Sequence, residues 1–465
     1  MILAAFGQTP AAIHFGLFLV NAATIGLIYL LGLRLFGRLA GLVAAASYAL
    51  LSVSPAVLGL AGHATHFVVL PAVGGILLLL TAMDAQRLRL FFSSGLLFGL
   101  AFLMKQPGIF FLLFAVLYLL KTEWKPPVDW RSLAARMGCL LLGSALPLAL
   151  TCVVLYASGV FQSFWFWTFS YAWQYAARVG LADGFHVFNA MIPRIVHPAI
   201  FIWIIAGIGF TAIFWNRELR AYATFIYGLV VFSCLAVCPG LYFRQHYFIL
   251  MLPGVALLTG IAVSSAVQVL RRNPSTAGLA VVPVFLFLGA SLASVVQQRV
   301  LLFEMNATEA CRAIYFANPF PEALPISNYL AAHMPSEGRI AILGSEPEIY
   351  FYSRRHSASG YIYVYPLVEG QKYALTMQKD MIGEIESAVP EFLVFVQVPE
   401  SWLVTETSET HSFLSWADDY IRSHYELVGI ADIIDPRHTE YRWGDQARTY
   451  RRRSRSVVLV FRRNR

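Results

Sequence analysis

The chain has 465 residues, of which 58% are hydrophobic and 13% charged, and its net charge is +8. Its apolar residues lie in long runs rather than amphipathic stripes, which excludes an ordinary soluble globule and indicates a polytopic α-helical membrane protein. The positive balance does not call for a nucleic-acid partner: residues 1–297 carry 16 Lys and Arg against 5 Asp and Glu, the remainder 18 against 21, so the basic excess belongs to the membrane part.

In chain order, the first ten residues hold no Lys or Arg and no cleavage site, so no signal peptide is expected. Apolar runs between charged or Pro/Gly breaks then predict about ten crossings. They lie near 11–33, 39–56, 66–83, 91–104, 107–120, 137–157, 197–215, 221–238, 246–268 and 277–296. If the first run passes from outside to inside, Arg34, Arg38, Arg87, Arg89, Lys121, Lys125, Arg131, Arg136, Arg217, Arg220, Arg271 and Arg272 are cytoplasmic. Only Lys105, Arg178, Arg194 and Arg244 fall outside, and twelve against four satisfies the positive-inside rule. Residues 1–296 then form the transmembrane domain and 297–465 an extracytoplasmic domain. In the latter, "RIAILG" and "EFLVFVQV" read as buried strands, "SFLSWADDYIRSHY" as an amphipathic helix and "RSVVLVFRR" as a last strand, together a small α/β fold. No Gly-rich phosphate loop follows a strand there, and "RRRSR" at 451–455 reads as a solvated surface. Cys139, Cys152, Cys234 and Cys238 lie in apolar segments and Cys311 in the polar remainder, which suggests no disulfide framework.

Candidate chemistry gathers at the outer face. Lys105 interrupts two arms of 14 residues, 91–104 and 107–120. Each arm spans about 21 Å of a roughly 30 Å core, so the "KQPG" break sits below the surface. Broken backbone at that depth is tolerated against protein or a wet cavity, and an ammonium in such a recess suits a phosphate. The alternative is a lysine that snorkels to the interface. Arg244, His246 and Tyr247 in "YFRQHYFILMLPG" offer donors for phosphate or sugar, or else form an interfacial belt. His63 and His66, three apart, share a face if their turn is helical and line the same recess, the interface or the start of a metal site. No third ligand with diagnostic spacing accompanies them, so a divalent metal has no clear ligand set. "FQSFWFWTFSYAWQY", 161–175, holds nine aromatics and no charge and reads as a helix lying in the interface, with a lipid groove or sugar stacking as the other reading.

The succession "NAATIGLIYLLGLRLFGRLAGLVAAASYALLSVSP", "GLLFGLAFLMKQPG", "YFRQHYFILMLPG" and "IAILGSEPEIYFYSRR" resembles bacterial membrane glycosyltransferases of the GT-C fold. These are relatives of the protein O-mannosyltransferases and the lipid A aminoarabinose transferase. The resemblance implies a multi-pass protein of the bacterial plasma (inner) membrane. It implies inverting transfer of a sugar from a polyprenyl-phosphate carrier to an extracytoplasmic acceptor, whether glycan, lipid or protein. Lys105 and Arg244 would grip the carrier's phosphate, and Gln106, His246, Tyr247, His63 and His66 would complete the substrate site. One departure stands out: the family carries its acidic catalytic residue in the first outer loop, and this chain begins where that loop should be ending. The expectation is an N-terminally shortened form that binds donor but transfers little, unless Asp183, the one outer carboxylate of the membrane part, serves as base from a "LADGF" stretch that also reads as a turn. Glu346 and Glu348 have nothing in the sequence that places them over the recess. Two other readings stay open: a transporter or flippase for a lipid-linked saccharide, and a non-catalytic membrane partner of a glycosyltransferase.

Overall fold

The computed structural model describes residues 2–124, 126–402 and 408–464; Lys125, one of the twelve basic residues above, lies outside them. Contacts divide the chain into two compact units, Met1–Val300 and Leu301–Arg465.

Among the described residues, eight helices, the last ending just past Val300, are long and apolar enough to cross a membrane. The first, Pro10–Phe36, starts where the Thr9 hydroxyl accepts from the Ala12 amide at 3.1 Å and Pro10 supplies a preset φ, and it stops at Gly37, whose φ of 89° favours glycine. Two shorter apolar helices, Arg38–Ser52 and Leu88–Met104, occupy the second and fourth predicted crossings. The chain is therefore a polytopic helical membrane protein of the expected class. One boundary differs. The crossing predicted at 197–215 is the second half of a longer helical segment, Leu181–Phe210, so "LADGF" is helical and not a turn. An amphipathic repeat from Leu181 to Val196 outweighs the turn preference of Asp-Gly, because its apolar side packs against the bundle.

Close helix packing follows from small residues, since in lipid no hydrophobic force draws helices together. A Cβ at Gly95 would stand 2.1 Å from the Leu140 carbonyl oxygen, and one at Gly143 would stand 2.1 Å from that of Phe92. The helices Leu88–Met104 and Trp130–Ala157 thus approach backbone to backbone. At the centre lies Gln245–Arg272, nearly all of whose apolar stretch is buried. Its first turn is the one that follows Arg244.

The second unit is a mixed α/β fold. Among the described residues its strands are β1 Arg339–Leu343, β2 His356–Ser357, β3 Phe392–Gln397, β4 Tyr425–Asp435, β5 His438–Trp443 and β6 Val457–Arg463. They are ordered β2-β1-β3-β6-β4-β5, with β1 parallel to β2 and β3 and the other pairs antiparallel. β1 and β3 are the two hydrophobic runs read from the sequence, and the helix over "SFLSWADDYIRSH" runs Ser408–His424. β4 and β5 were not legible, because acidic residues interrupt their alternation. Asp432 in β4 is buried and accepts hydrogen bonds from Tyr450 Oη and from Arg453 N and Ser454 N. The 451–455 arginine side chains are exposed, as expected of a solvated run, while these backbone contacts pin the loop.

Candidate functional site

Four segments meet at one end of the first unit. The helix Leu88–Met104 ends at Lys105, whose backbone is extended, and a 3-10 turn, Gln106–Gly108, leads into Ile109–Glu123. The residue at 108 must be glycine, since a Cβ there would lie 2.5 Å from the Ala101 carbonyl oxygen. The break places the Lys105 ammonium over the face of Tyr247, 3.9 Å from the ring centroid. That cation–π contact is worth about 0.5–1 kcal/mol when exposed and about 2 when desolvated, which offsets part of the burial of Lys105. Among the described residues no carboxylate pairs with Lys105, and the charge nearest in effect is the like charge of Arg244.

Tyr247 belongs to the 3-10 turn Gln245–Met251. The loop before it is strained: Leu241 and Phe243 both have positive φ, 54° and 41°, without being glycine. Such conformations cost on the order of 1–3 kcal/mol each and persist where the surroundings over-determine them. Here Phe243 is buried with its ring 5.0 Å from that of Phe188. Leu241 sits against the bare backbone of Gly184, where a Cβ would come within 2.8 Å of the Leu241 Cβ. The strain therefore fixes the chain direction into Arg244. Its guanidinium lies 5.5 Å from the ring centroid of Tyr242.

His63 and His246 stack with ring centroids 4.1 Å apart and an interplanar angle of 7°, and His246 meets Tyr247 edge-on at 4.8 Å. His63 is not on a helical face with His66. It is the extended N-cap of Ala64–Ala85, and His66 is buried inside that helix. The apparent i,i+3 pairing fails because the helix begins between the two residues. Among the described residues no three His, Cys, Asp or Glu side chains are arranged to hold a metal ion.

The aromatic stretch 161–175 forms a helix from Phe161 to Ala176 with a π-helical middle, Phe166–Tyr171. It closes the cluster from another side. Gln106 Nε2 donates to the Thr168 carbonyl at 3.0 Å, Tyr175 stacks on Tyr242 at 4.4 Å, and Tyr242 Oη donates to the Tyr175 carbonyl at 3.4 Å. Wide turns of this kind are frequent at functional sites. Tyr175, Tyr242 and the Thr168 carbonyl are the members that sequence reasoning missed; aromatic richness was the one available signal, and it did not reveal the partner. Asp183 is exposed in the first turn of Leu181–Val196, next to the Gly184–Leu241 contact.

So Lys105, Gln106, Arg244, His246, Tyr247 and His63 are brought into one cluster, with His66 buried behind it. Its balance is cationic and aromatic. Residues 1–157 match the sequence profile of the dolichyl-phosphate-mannose-protein mannosyltransferase family. That match covers the N-terminal third of the chain. The structure of ArnT from Cupriavidus metallidurans bound to undecaprenyl phosphate is similar, with a TM-score of 0.57 and 14% identity over 99% of this chain and 85% of that one, which shows the shared GT-C fold. Archaeoglobus fulgidus structures also match: the oligosaccharyltransferase tethered to an acceptor peptide (TM-score 0.42, 11% identity, 96% of this chain) and AglB with an inhibitory peptide and dolichol-phosphate (0.44, 12%, 94%). The chain spans 64% and 63% of their respective lengths. No curated protein matches the chain in sequence.

Proposed function

We propose that this chain transfers a sugar from a polyprenyl-phosphate carrier to an extracytoplasmic acceptor, a glycan, lipid or protein, with inversion at the anomeric carbon. The observation that carries the reading is Lys105: a half-buried ammonium at a helix break, beside Arg244, with no carboxylate to neutralise it among the described residues. Two adjacent cations repel each other and are relieved by an anion, and a phosphate satisfies both, Lys as a point charge and Arg as a fork. An apolar cavity of about 380 Å³, lined by Phe185, Phe188, Leu241, Phe243, Phe248 and Met251, opens immediately before Arg244 in the chain and suits the first isoprene units.

In the proposed reaction an acceptor oxygen attacks the anomeric carbon while the carbon–oxygen bond to phosphate breaks. The bonding pair leaves with the carrier phosphate, where Lys105 and Arg244 stabilise the charge that develops. The acceptor's proton passes to a base, and Asp183 is the carboxylate proposed for it, being exposed on the helix that packs on the Arg244 loop. The cluster is assigned to the outer side, since twelve of the sixteen basic residues before 297 then face the cytoplasm.

The test is binding and transfer with the chain in nanodiscs and a polyprenyl-phosphate sugar. Lys105→Ala and Arg244→Ala should each weaken donor binding roughly 10- to 150-fold, the loss of a charge-assisted contact of about 1.5–3 kcal/mol. His333→Ala, in the other unit, serves as control. Unchanged donor affinity in both basic variants would reduce Lys105 to an interface residue and end the proposal. For orientation, a cysteine at Ser132, introduced after the five native cysteines are replaced, should stay unlabelled by an impermeant reagent in intact cells.

A further inference from the structure

A second groove lies at the opposite end of the helix that Lys105 precedes. Lys121 is sixteen residues from Lys105, about 24 Å along the axis, so the two ammonium groups stand at different levels of the bilayer. The groove, about 500 Å³, runs between the helices Ile109–Glu123 and Ala223–Val237. Phe114, Leu117, Gly228 and Phe232 make its apolar part, and Lys121 and Trp124 stand at its mouth. It is a trough because residue 228 has no side chain: even a Cβ there would press the Phe114 ring at 3.0 Å. Leu117 is half exposed, so the trough opens sideways, where a membrane protein meets lipid.

We infer that this groove binds one anionic phospholipid of the bilayer, its acyl chain along Phe114 and Phe232 and its phosphate on Lys121. Charge complementarity carries the choice. The acids around this end already have partners: Glu123 pairs with Arg136 at 2.5 Å, Asp84 with Arg34 at 2.5 Å and Glu218 with Arg272 at 2.5 Å, while Asp129 accepts from the Ser132 hydroxyl at 2.6 Å. Among the described residues Lys121 forms no ion pair, so the mouth of an apolar trough carries one cation without a counter-ion. Depth agrees. The exposed Trp124 ring, one turn beyond, packs edge-on against exposed Trp130 at 5.4 Å, the aromatic signature of the headgroup level. A cation at that level attracts an anionic headgroup, and a zwitterionic one far less.

The experiment is native mass spectrometry of the full chain taken from mixed phosphatidylglycerol and phosphatidylcholine micelles. One phosphatidylglycerol should be retained with about a fivefold preference, the effect of one lysine near a charged surface. Lys121→Glu, an exposed change, should abolish that preference without altering donor affinity at the Lys105 end, and Thr224→Trp, which fills the trough, should abolish retention of either lipid. Equal retention of both lipids by the unaltered chain, or a preference that survives Lys121→Glu, would overturn the inference. So would displacement of the retained lipid by equimolar undecaprenyl phosphate, because the groove would then take the carrier rather than a bilayer lipid.

Discussion

The Lys105 ammonium rests 3.9 Å above the centre of the Tyr247 ring, and that single contact joins a helix break at residue 105 to the first turn of the central helix at 247. A cation over an aromatic face keeps its charge and remains open to an anion on its other side. Tyr247→Phe keeps the ring and should keep donor affinity within about threefold, whereas Tyr247→Leu removes an interaction of about 1–2 kcal/mol and should weaken it about 5- to 30-fold. Equal affinities of the Phe and Leu variants, measured by isothermal titration with a polyprenyl phosphate, would mean the ring does not hold the ammonium.

Gly184 offers a test of positioning without any change of charge. A Cβ there meets the Leu241 Cβ at 2.8 Å and would push the strained loop that aims Arg244. Gly184→Val should therefore weaken donor binding about tenfold or more, because overpacking shifts backbone at a cost of about 1–3 kcal/mol. Gly207→Val, on a surface where an added Cβ meets nothing within 4 Å, is the matched control. The two variants binding alike would remove the loop from the site.

In the second unit, Arg312 and Glu322 form a buried ion pair, and the Thr439 hydroxyl donates to the same Glu322 oxygen at 2.5 Å. Removing one partner strands the other's charge. Arg312→Ala should destabilise this unit by about 3–5 kcal/mol, while the paired change Arg312→Met with Glu322→Leu should come much closer to neutral. Thermal unfolding of the three proteins by tryptophan fluorescence would decide it, and a double variant as unstable as the single one would contradict the account.

Glu346 and Glu348 follow β1 and make this unit's stability fall as pH rises. Burial pushes the Glu346 carboxyl up to about 8, against the opposing hydrogen bond from Ser401 Oγ at 2.9 Å, and burial pushes Glu348 up to about 7. In the unfolded chain both titrate near the ordinary 4.5. The folded state therefore holds protons that the unfolded state has released, so the stabilisation is complete below about pH 4.5 and is lost progressively as pH rises through 7 and 8. The expected result is a melting temperature for this unit that is higher at pH 5.5 than at pH 8.5, with a flatter profile in Glu346→Gln. A melting temperature that climbs over this interval, or an unchanged slope in the variant, would show that the two carboxyls are not protonated in the fold.

The sequence by itself determined the class of the protein and the polar members of its main cluster, but not the aromatic residues that cover it. Long apolar runs have one stable solution in lipid, the helix, since every backbone group must bond within its own segment. Lys105 and Gln106 were legible because a charge and a Pro-Gly break inside such a run need compensation, and Arg244, His246 and Tyr247 because polar residues at the head of a crossing stand out against it. The runs of β1, β3 and β6 were legible for the related reason that strands covered on both faces read as continuous apolar stretches. Only the tertiary structure decided who touches whom. That His63 stacks on His246 across 183 positions, that Tyr175 covers Tyr242, and that Gly184 makes room for Leu241 depend on how helices rotate and pass one another. Rotation and approach are set by side-chain packing between segments far apart in the chain, whereas hydropathy reports only on each segment's own solvent.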